Sequence, residues 1–411
     1  LGDVYKRQVE GGPLPGYPDV PYAQSCSMDR CMARAKEMMD WDSKYPCRDM
    51  GNGKVRGVGV AMAMQGSSIA GVDVGGADIK LNEDGSYTLA LGCTDMGTGC
   101  DTVMAQIAAD CLNTPMDNIV VFSVDTDISP YDSGSYASAT TYTTGVAVMK
   151  ACEELKKKIC KLGAEMMEVD EGKVDFDGSC VFYDETLEIS DGADGNAAGH
   201  MTDAEEGYSV DMDAISSENA QKKVSLEDIA LKSTFFNNIE LQVVKQHSSP
   251  ISPPPFMVGM AEVEVDTETG SVDVLDYVAV VDCGTPINPN LARVQTEGGI
   301  AQGIGMALWE DVQYTDKGKI RNNSFMQYKI PTRQDIGNIR VDFECSYEKS
   351  GPFGAKSIGE LVIDTPCPAL AEAIYNATGV RLTELPMTPE KIAMEILKNR
   401  ESIRSGSKVE E

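Results

Sequence analysis

Several signatures that would settle the chemistry of this 411-residue chain at a glance are missing from it. No two cysteines form a Cys-x-x-Cys pair, and the nearest neighbours are Cys26 with Cys31, Cys93 with Cys100, and Cys152 with Cys160. Only two histidines occur, His200 and His247, far apart. Zinc needs clustered Cys and His, and an iron–sulfur cluster needs several closely spaced thiolates, so neither is expected on this chain. The twelve cysteines read as reduced thiols of a cytoplasmic protein. No apolar run reaches the roughly 18 residues of a spanning helix, and no basic-then-apolar leader opens the chain. A Gly-x-Gly-x-x-Gly turn and sustained βαβ alternation are also absent, which argues against a NAD-binding dehydrogenase. Positive charge is scarce: 35 Lys and Arg stand against 65 Asp and Glu, a formal net charge of −30. Such a surface repels phosphate backbones and anionic lipid, so neither nucleic acid nor membrane is an expected partner.

What remains is an ordinary globular composition, 42% hydrophobic and 24% charged, at a length that suits two or three domains. Leu1–Gln8 fits no element that follows and is expected to be extraneous, at the start of a truncated chain. A Pro-rich stretch then leads to a helix over Met28–Trp41, capped by Ser25, and the glycines of 51–59 mark a boundary. A hairpin is expected from Ala77–Leu81 and Ser86–Gly92 around the turn ending Asp84-Gly85. The glycine-rich turn Cys93–Gly99, a helix over Asp101–Leu112, a strand over Ile119–Val124, a polar loop over Asp125–Thr144 and a helix over Val146–Leu162 follow. Residues 184–222 read as an acidic solvated insertion, and Ser248–Pro255 as a proline-stiffened connector. The grammar then recurs. Gly259–Val265 and Ser271–Val281 form a second hairpin, Cys283-Gly284 a second glycine turn, and Leu291–Trp309 a second helix. Helices over Cys367–Thr378 and from Thr388-Pro389 to about Lys398 complete the chain. The fold class is α+β, mixed sheets with packed helices built on two duplicated hairpin-turn-helix units.

Four segments could carry chemistry, and each has a plain structural alternative. Gly92–Gly99 (GCTDMGTG) precedes a helix, where backbone amides suit a phosphate or merely turn the chain. Asp125–Thr144 is crowded with hydroxyls and small residues, as a ligand-lining or an ordinary polar loop would be. Gln295–Gly305 carries four glycines in a helical setting, which implies close approach of a ligand or of another backbone. Glu360 stands at a loop-to-core junction. Partial desolvation there would suit a general base, and solvation would suit a cap.

Taken in order, GCTDMGTG, DSGSYASATT, VDCGTPINP, EGGIAQGIG and GPFGAKSIGE resemble the molybdenum-binding subunit of the xanthine dehydrogenase family, as does the ending AIYNATGVRLTELPMTPEKI. The likeness runs from about residue 25 to 398, the insertion excepted. It implies a molybdopterin cofactor, in mononucleotide or cytosine dinucleotide form, contacted by Met96, Gly97, Thr98, Gly99 and Cys100. Thr98 departs from the family's frequent Gln. Ala137, Ser138 and Ala139 would line the cofactor pocket, Gln302 would hydrogen-bond the pterin with Gly303 giving clearance, and Gln65, Gly66, Ser67 and Ser68 would lie near substrate. No protein side chain is expected to bind the metal. Glu360 matches the family's catalytic base, which takes a proton as a water-derived oxygen is added to an electron-poor carbon of a purine-like heterocycle. Electrons would leave through 2Fe–2S and FAD groups on partner subunits or missing domains of an oligomeric complex. On this resemblance residues 9–55 end a first molybdopterin-binding domain, 56–400 form the second, and 401–411 are a tail. Hydroxylation of an aldehyde, a nicotinate-like acid or carbon monoxide, or a non-catalytic scaffold role, are the alternatives.

Overall fold

The computed structural model describes residues 23, 25–123, 125–187, 222–237 and 240–405. Leu1–Gln8, most of the Pro-rich stretch, most of the segment 184–222 and the end of the chain lie outside the described residues, and so do the expectations placed on them. In chain order the elements are α1 (Met28–Met39), α2 (Trp41–Lys44), β1 (Cys47–Gly51), β2 (Lys54–Met64), β3 (Gly75–Leu81), β4 (Tyr87–Leu91), α3 (Cys100–Leu112), β5 (Ile119–Phe122), α4 (Gly145–Met167), β6 (Val174–Phe176), β7 (Cys180–Tyr183), β8 (Lys223–Ser225), α5 (Leu226–Leu231), β9 (Gln242–His247), β10 (Phe256–Asp266), β11 (Val272–Asp282), α6 (Pro289–Leu308), β12 (Asn338–Phe343), α7 (Pro366–Thr378) and α8 (Pro389–Ser405).

These elements form two compact units, each interrupted in sequence. Among the described residues, one comprises those up to Ala70, Tyr136–Tyr142 and those from Pro250 on; the other comprises those within Gly71–Ser135 and Thr143–Ser249. In the first, five strands run in the order β1-β2-β10-β11-β12, antiparallel except for the β11/β12 pair. Strand β10 is buried on both faces. Val258 and Met260 pack with Met28, Cys31 and Ala35 of α1, whereas Met257, Ala261 and Val263 pack with Ile300 and Ile304 of α6 and Leu370 and Ile374 of α7. This two-sided burial explains the unbroken apolar run of that strand. In the second unit, β5-β4-β3-β9 form one sheet, with α3 and α4 packed together and α4 laid over β3 and β9; β6-β7-β8 form another.

The expected duplication is present and extends further than a hairpin, a turn and a helix. In both copies the connecting helix returns the chain to a strand parallel to the hairpin's second strand, β5 beside β4 and β12 beside β11. A further helix, α4 or α7, then packs on the hairpin's first strand.

Several local expectations need correction. Ser25 does not cap α1. Ser27 takes that position without a side-chain cap bond, while the Ser25 hydroxyl donates to Glu348 (2.7 Å). The glycines of 51–59 do not interrupt structure but form the β1–β2 turn and part of β2. A Cβ on Gly57 or Gly59 would meet the backbone of α7, so these glycines let helix and strand approach. The polar loop ends early, because Thr140–Thr144 already form a π-helical turn leading into α4. Helix α8 runs past Lys398 to Ser405. All twelve cysteines are unbridged, and among the described residues no helix is long and apolar enough to cross a membrane.

Candidate active site

Glu360 follows Ala355–Gly359, which contains no helix, and precedes a single 3-10 turn, Leu361–Ile363, that buries Leu361 and Val362. The apolar residues turn inward there, and the Glu360 side chain is left exposed. Of the two readings of this junction, partial desolvation and solvation, the exposed side chain matches solvation. The carboxylate is nonetheless held. Gln65 Nε2 donates to Glu360 Oε2 (2.5 Å), and Ser138 Oγ donates to the same oxygen (3.2 Å) while accepting from the Glu360 backbone N–H (2.9 Å). Among the described residues no hydrogen bond reaches Oε1. Burial, joined by the Glu360 charge, pushes the nearby Asp364 carboxyl above its ordinary value.

Each partner arrives on a constrained loop. Gln65 follows β2, and the Ser67 hydroxyl two residues on accepts from the Ser357 backbone N–H (3.0 Å) and lies 2.9 Å from the Ser357 hydroxyl. Ser68, at φ 81°, donates its N–H to the Ala137 carbonyl (2.9 Å), and Gly66 leaves room for Ser252. Ala137 and Ser138 both sit at positive φ, 50° and 54°. Non-glycine residues bear a cost in that region, which is tolerated where the surroundings over-determine it, as at functional sites. Ala139 is buried behind them.

Helix α6 flanks the same segment. Gln295 Nε2 reaches the Gly359 carbonyl (3.4 Å). Gly299 faces Val362, and a Cβ on Gly303 would stand 2.7 Å from Pro366 Cγ, so the clearance at Gly303 serves α7. Gln302 is exposed. At Gly298 a side chain would meet open space.

Met96–Cys100 belong to the second unit. Met96, Gly97 and Thr98 are exposed and Cys100 is buried. The turn's amides are not waiting for an anion: Gly97 N–H (2.9 Å) and Gly99 N–H (3.1 Å) both donate to Asp95 Oδ1. Burial opposes the Asp95 charge, but the N–H groups of Gly97, Gly99, Asp101 and Thr98 outweigh it and hold the carboxyl below its usual range. Asp95 thus engages two of the amides of this turn. Asp95, Cys100 and Asp101 bring ligand-type atoms within 4.8 Å of one another, yet Asp95 is already engaged by amides and Asp101 by the Ser123 hydroxyl (3.1 Å).

Sequence reasoning missed Gln295, which it had placed only within a glycine-rich helix, and the buried pair Lys356–Asp282 behind Glu360. Lys356 lies inside GPFGAKSIGE, but nothing local to the motif signals an ionic partner on another strand.

The comparisons with known proteins agree with this architecture. The family model described as Molybdopterin cofactor-binding domain matches residues 34–337. The chain is 33% identical to "Probable hypoxanthine oxidase XdhD" of Escherichia coli (strain K12), over 91% of this chain and 35% of that protein. It is 28% identical to the xanthine dehydrogenase molybdenum-binding subunit of Escherichia coli O157:H7, over 94% of this chain and 48% of that one. Among solved structures, quinoline 2-oxidoreductase from Pseudomonas putida 86 superposes with a TM-score of 0.77 at 22% identity, covering 92% of this chain and 47% of that chain. The chain thus spans between a third and a half of the length of these relatives. It belongs to the molybdopterin cofactor-binding domain family.

Proposed function

We propose that this chain is part of a molybdenum hydroxylase acting on a purine-like heterocycle, with Glu360 as its catalytic base. The observation that carries the reading is the convergence of Gln65 and Ser138, from loops far apart in sequence, on one oxygen of Glu360. A carboxylate oriented through Oε2 presents Oε1 in a defined direction, as proton transfer requires. The purine-like substrate is supported by the name of the hypoxanthine oxidase relative.

The residues present fit a molybdopterin group near Glu360 better than at the glycine turn, where Asp95 holds the amides. Ala137, Ser138 and Gln302 would border it, and the open space at Gly298 is compatible with a ligand lying against α6. When bound, the cofactor supplies the two-electron oxidation. Glu360 takes up the proton released as the substrate carbon is oxygenated, and Gln65 and Ser138 keep its carboxylate from swinging. Gln65 lies beside that carboxylate, and Gln65, Gly66, Ser67 and Ser68 would border the substrate. Electrons would pass to 2Fe–2S and FAD groups on partner subunits of a cytoplasmic complex, and the pterin would be in mononucleotide or cytosine dinucleotide form. Residues 56–400 would form the second molybdopterin-binding domain, preceded by the end of the first.

The test is the molybdenum and pterin content of the complex that contains this chain, made in a host competent for the cofactor, with turnover measured on hypoxanthine, an aldehyde and carbon monoxide. About one molybdenum per complex with purine turnover supports the proposal. A folded complex without molybdenum or pterin sinks it in favour of a scaffold role.

A further inference from the structure

The segment that presents Glu360 is anchored by a buried charge pair. Lys356 Nζ lies 3.0 Å from Asp282 Oδ1, and neither side chain has any exposed surface. The ammonium also donates to Ser346 Oγ (3.1 Å) and to the Ser25 carbonyl (3.3 Å), and it stands 5.1 Å from the centre of the Phe256 ring. Asp282, at the end of β11, accepts from the N–H of Ser27 (2.8 Å) and of Gly284 (3.0 Å) and from the Ser346 hydroxyl (2.8 Å). Burying two charges seldom stabilises a protein more than apolar residues of similar size would. Such a pair does restrict geometry, because each charge accepts only its own set of partners.

The consequences run directly to Glu360. The Lys356 N–H donates to the Cys283 carbonyl (2.8 Å), and Gly284 bridges to Ala355, which sets the backbone just before the Glu360 turn. Ser357, the next residue, bonds Ser67 in the Gln65 loop. Ser68 in that loop bonds Ala137, beside Ser138. A second branch closes the circuit: Tyr142 donates to Ser350 (2.9 Å), Ser350 and Ser25 donate to buried Glu348 (2.6 and 2.7 Å), and Ser25 returns its carbonyl to Lys356. The loops that meet at the carboxylate are therefore all tied to the segment that the pair holds.

We propose that the Lys356–Asp282 pair is a positioning device for Glu360, fixing residues 355–360 so that the carboxylate stays with Gln65 and Ser138. This rests on Glu360 being the base. Neither residue touches the carboxylate; both act through the backbone.

The test removes both charges together with Lys356→Met/Asp282→Asn, which leaves neither member of the pair as a lone ion and keeps one acceptor oxygen, enough for the Gly284 N–H but not also for the Ser27 N–H. In the complete enzyme kcat is expected to fall roughly 10- to 100-fold, as for a misplaced catalytic group, with KM within about twofold. Added to Glu360→Gln, the same pair of changes should cost nothing further, because residues acting through one group are not additive. In the 411-residue chain itself, without cofactor, amides of 355–361 should exchange with deuterium about tenfold faster while those of β10 and α7 are unchanged. Wild-type kcat, a loss that multiplies that of Glu360→Gln, unaltered exchange at 355–361, or faster exchange across the whole sheet would each overturn the proposal. Glu360→Gln turning over at the wild-type rate would instead sink the base assignment, while the exchange result would still report whether the pair anchors the segment.

Discussion

Replacing Gly59 with alanine tests the idea that the 51–59 glycines exist for packing. Gly59 lies in β2 opposite Ala261 of β10. A Cβ there would stand 2.9 Å from Glu372 Cβ and closer still to the Ala369 carbonyl oxygen and the Ala373 nitrogen. Ordinary contact is roughly 3.5 Å, and these are backbone atoms of α7, so the helix must withdraw by about 1 Å or the strand must bend. Ala369, Leu370, Ala373 and Ile374, all fully buried on that helix, lose contact together. The cost is therefore at the upper end for overpacking, about 3 kcal/mol, which at roughly 2.1 cal/mol/K per residue over 411 residues lowers the melting temperature by about 3–4 °C. Gly298→Ala is the control. It is also a Gly-to-Ala change, but it sits mid-helix with open space around it, so it should raise stability by about 0.5–1 kcal/mol. Thermal unfolding of both variants and the parent, followed by circular dichroism in one buffer, is sufficient. A Gly59→Ala protein melting within about 2 °C of the parent, or a destabilised Gly298→Ala, would refute the packing argument.

Glu360→Gln in the complete enzyme should reduce turnover by at least roughly 100-fold without loss of molybdenum or pterin; an unchanged rate removes the residue from the mechanism. Burial, joined by the Lys150 ammonium 2.9 Å away, holds His247 down at about 4 from its ordinary 6.5. Between those values the unfolded chain binds a proton that the folded chain does not, so stability falls as pH drops from 6.5 toward 4. Urea midpoints at pH 7 and pH 5 should differ less in His247→Asn than in the parent, and equal differences would contradict the assignment. Tyr277, fully buried, donates to Thr365 Oγ1 (2.9 Å). Tyr277→Phe should cost about 1–2 kcal/mol in denaturant unfolding, and a neutral result would mean that Thr365 finds another donor.

Much of this molecule could be read from its residues in order. Alternating apolar positions bounded by Asp-Gly and by Thr-Gly identified both hairpins, and helical spacing identified α3, α4, α6 and α7 to within a few residues at their starts. These signals are local, since strand and helix periods and turn chemistry depend on neighbours a few positions away. The Asp95 engagement of Gly97 and Gly99 is equally local, a short-range carboxylate-to-amide turn of the kind left open beside a phosphate site. Motif order alone was sufficient to point to the family and to single out Glu360. Tertiary structure decided the rest: that Glu360 is exposed, that Gln65 and Ser138 hold it, that Gly59 and Gly303 serve α7, and that Lys356 meets Asp282. These contacts join residues brought together by strand register and chain path, and no local propensity encodes which distant loop arrives beside which carboxylate.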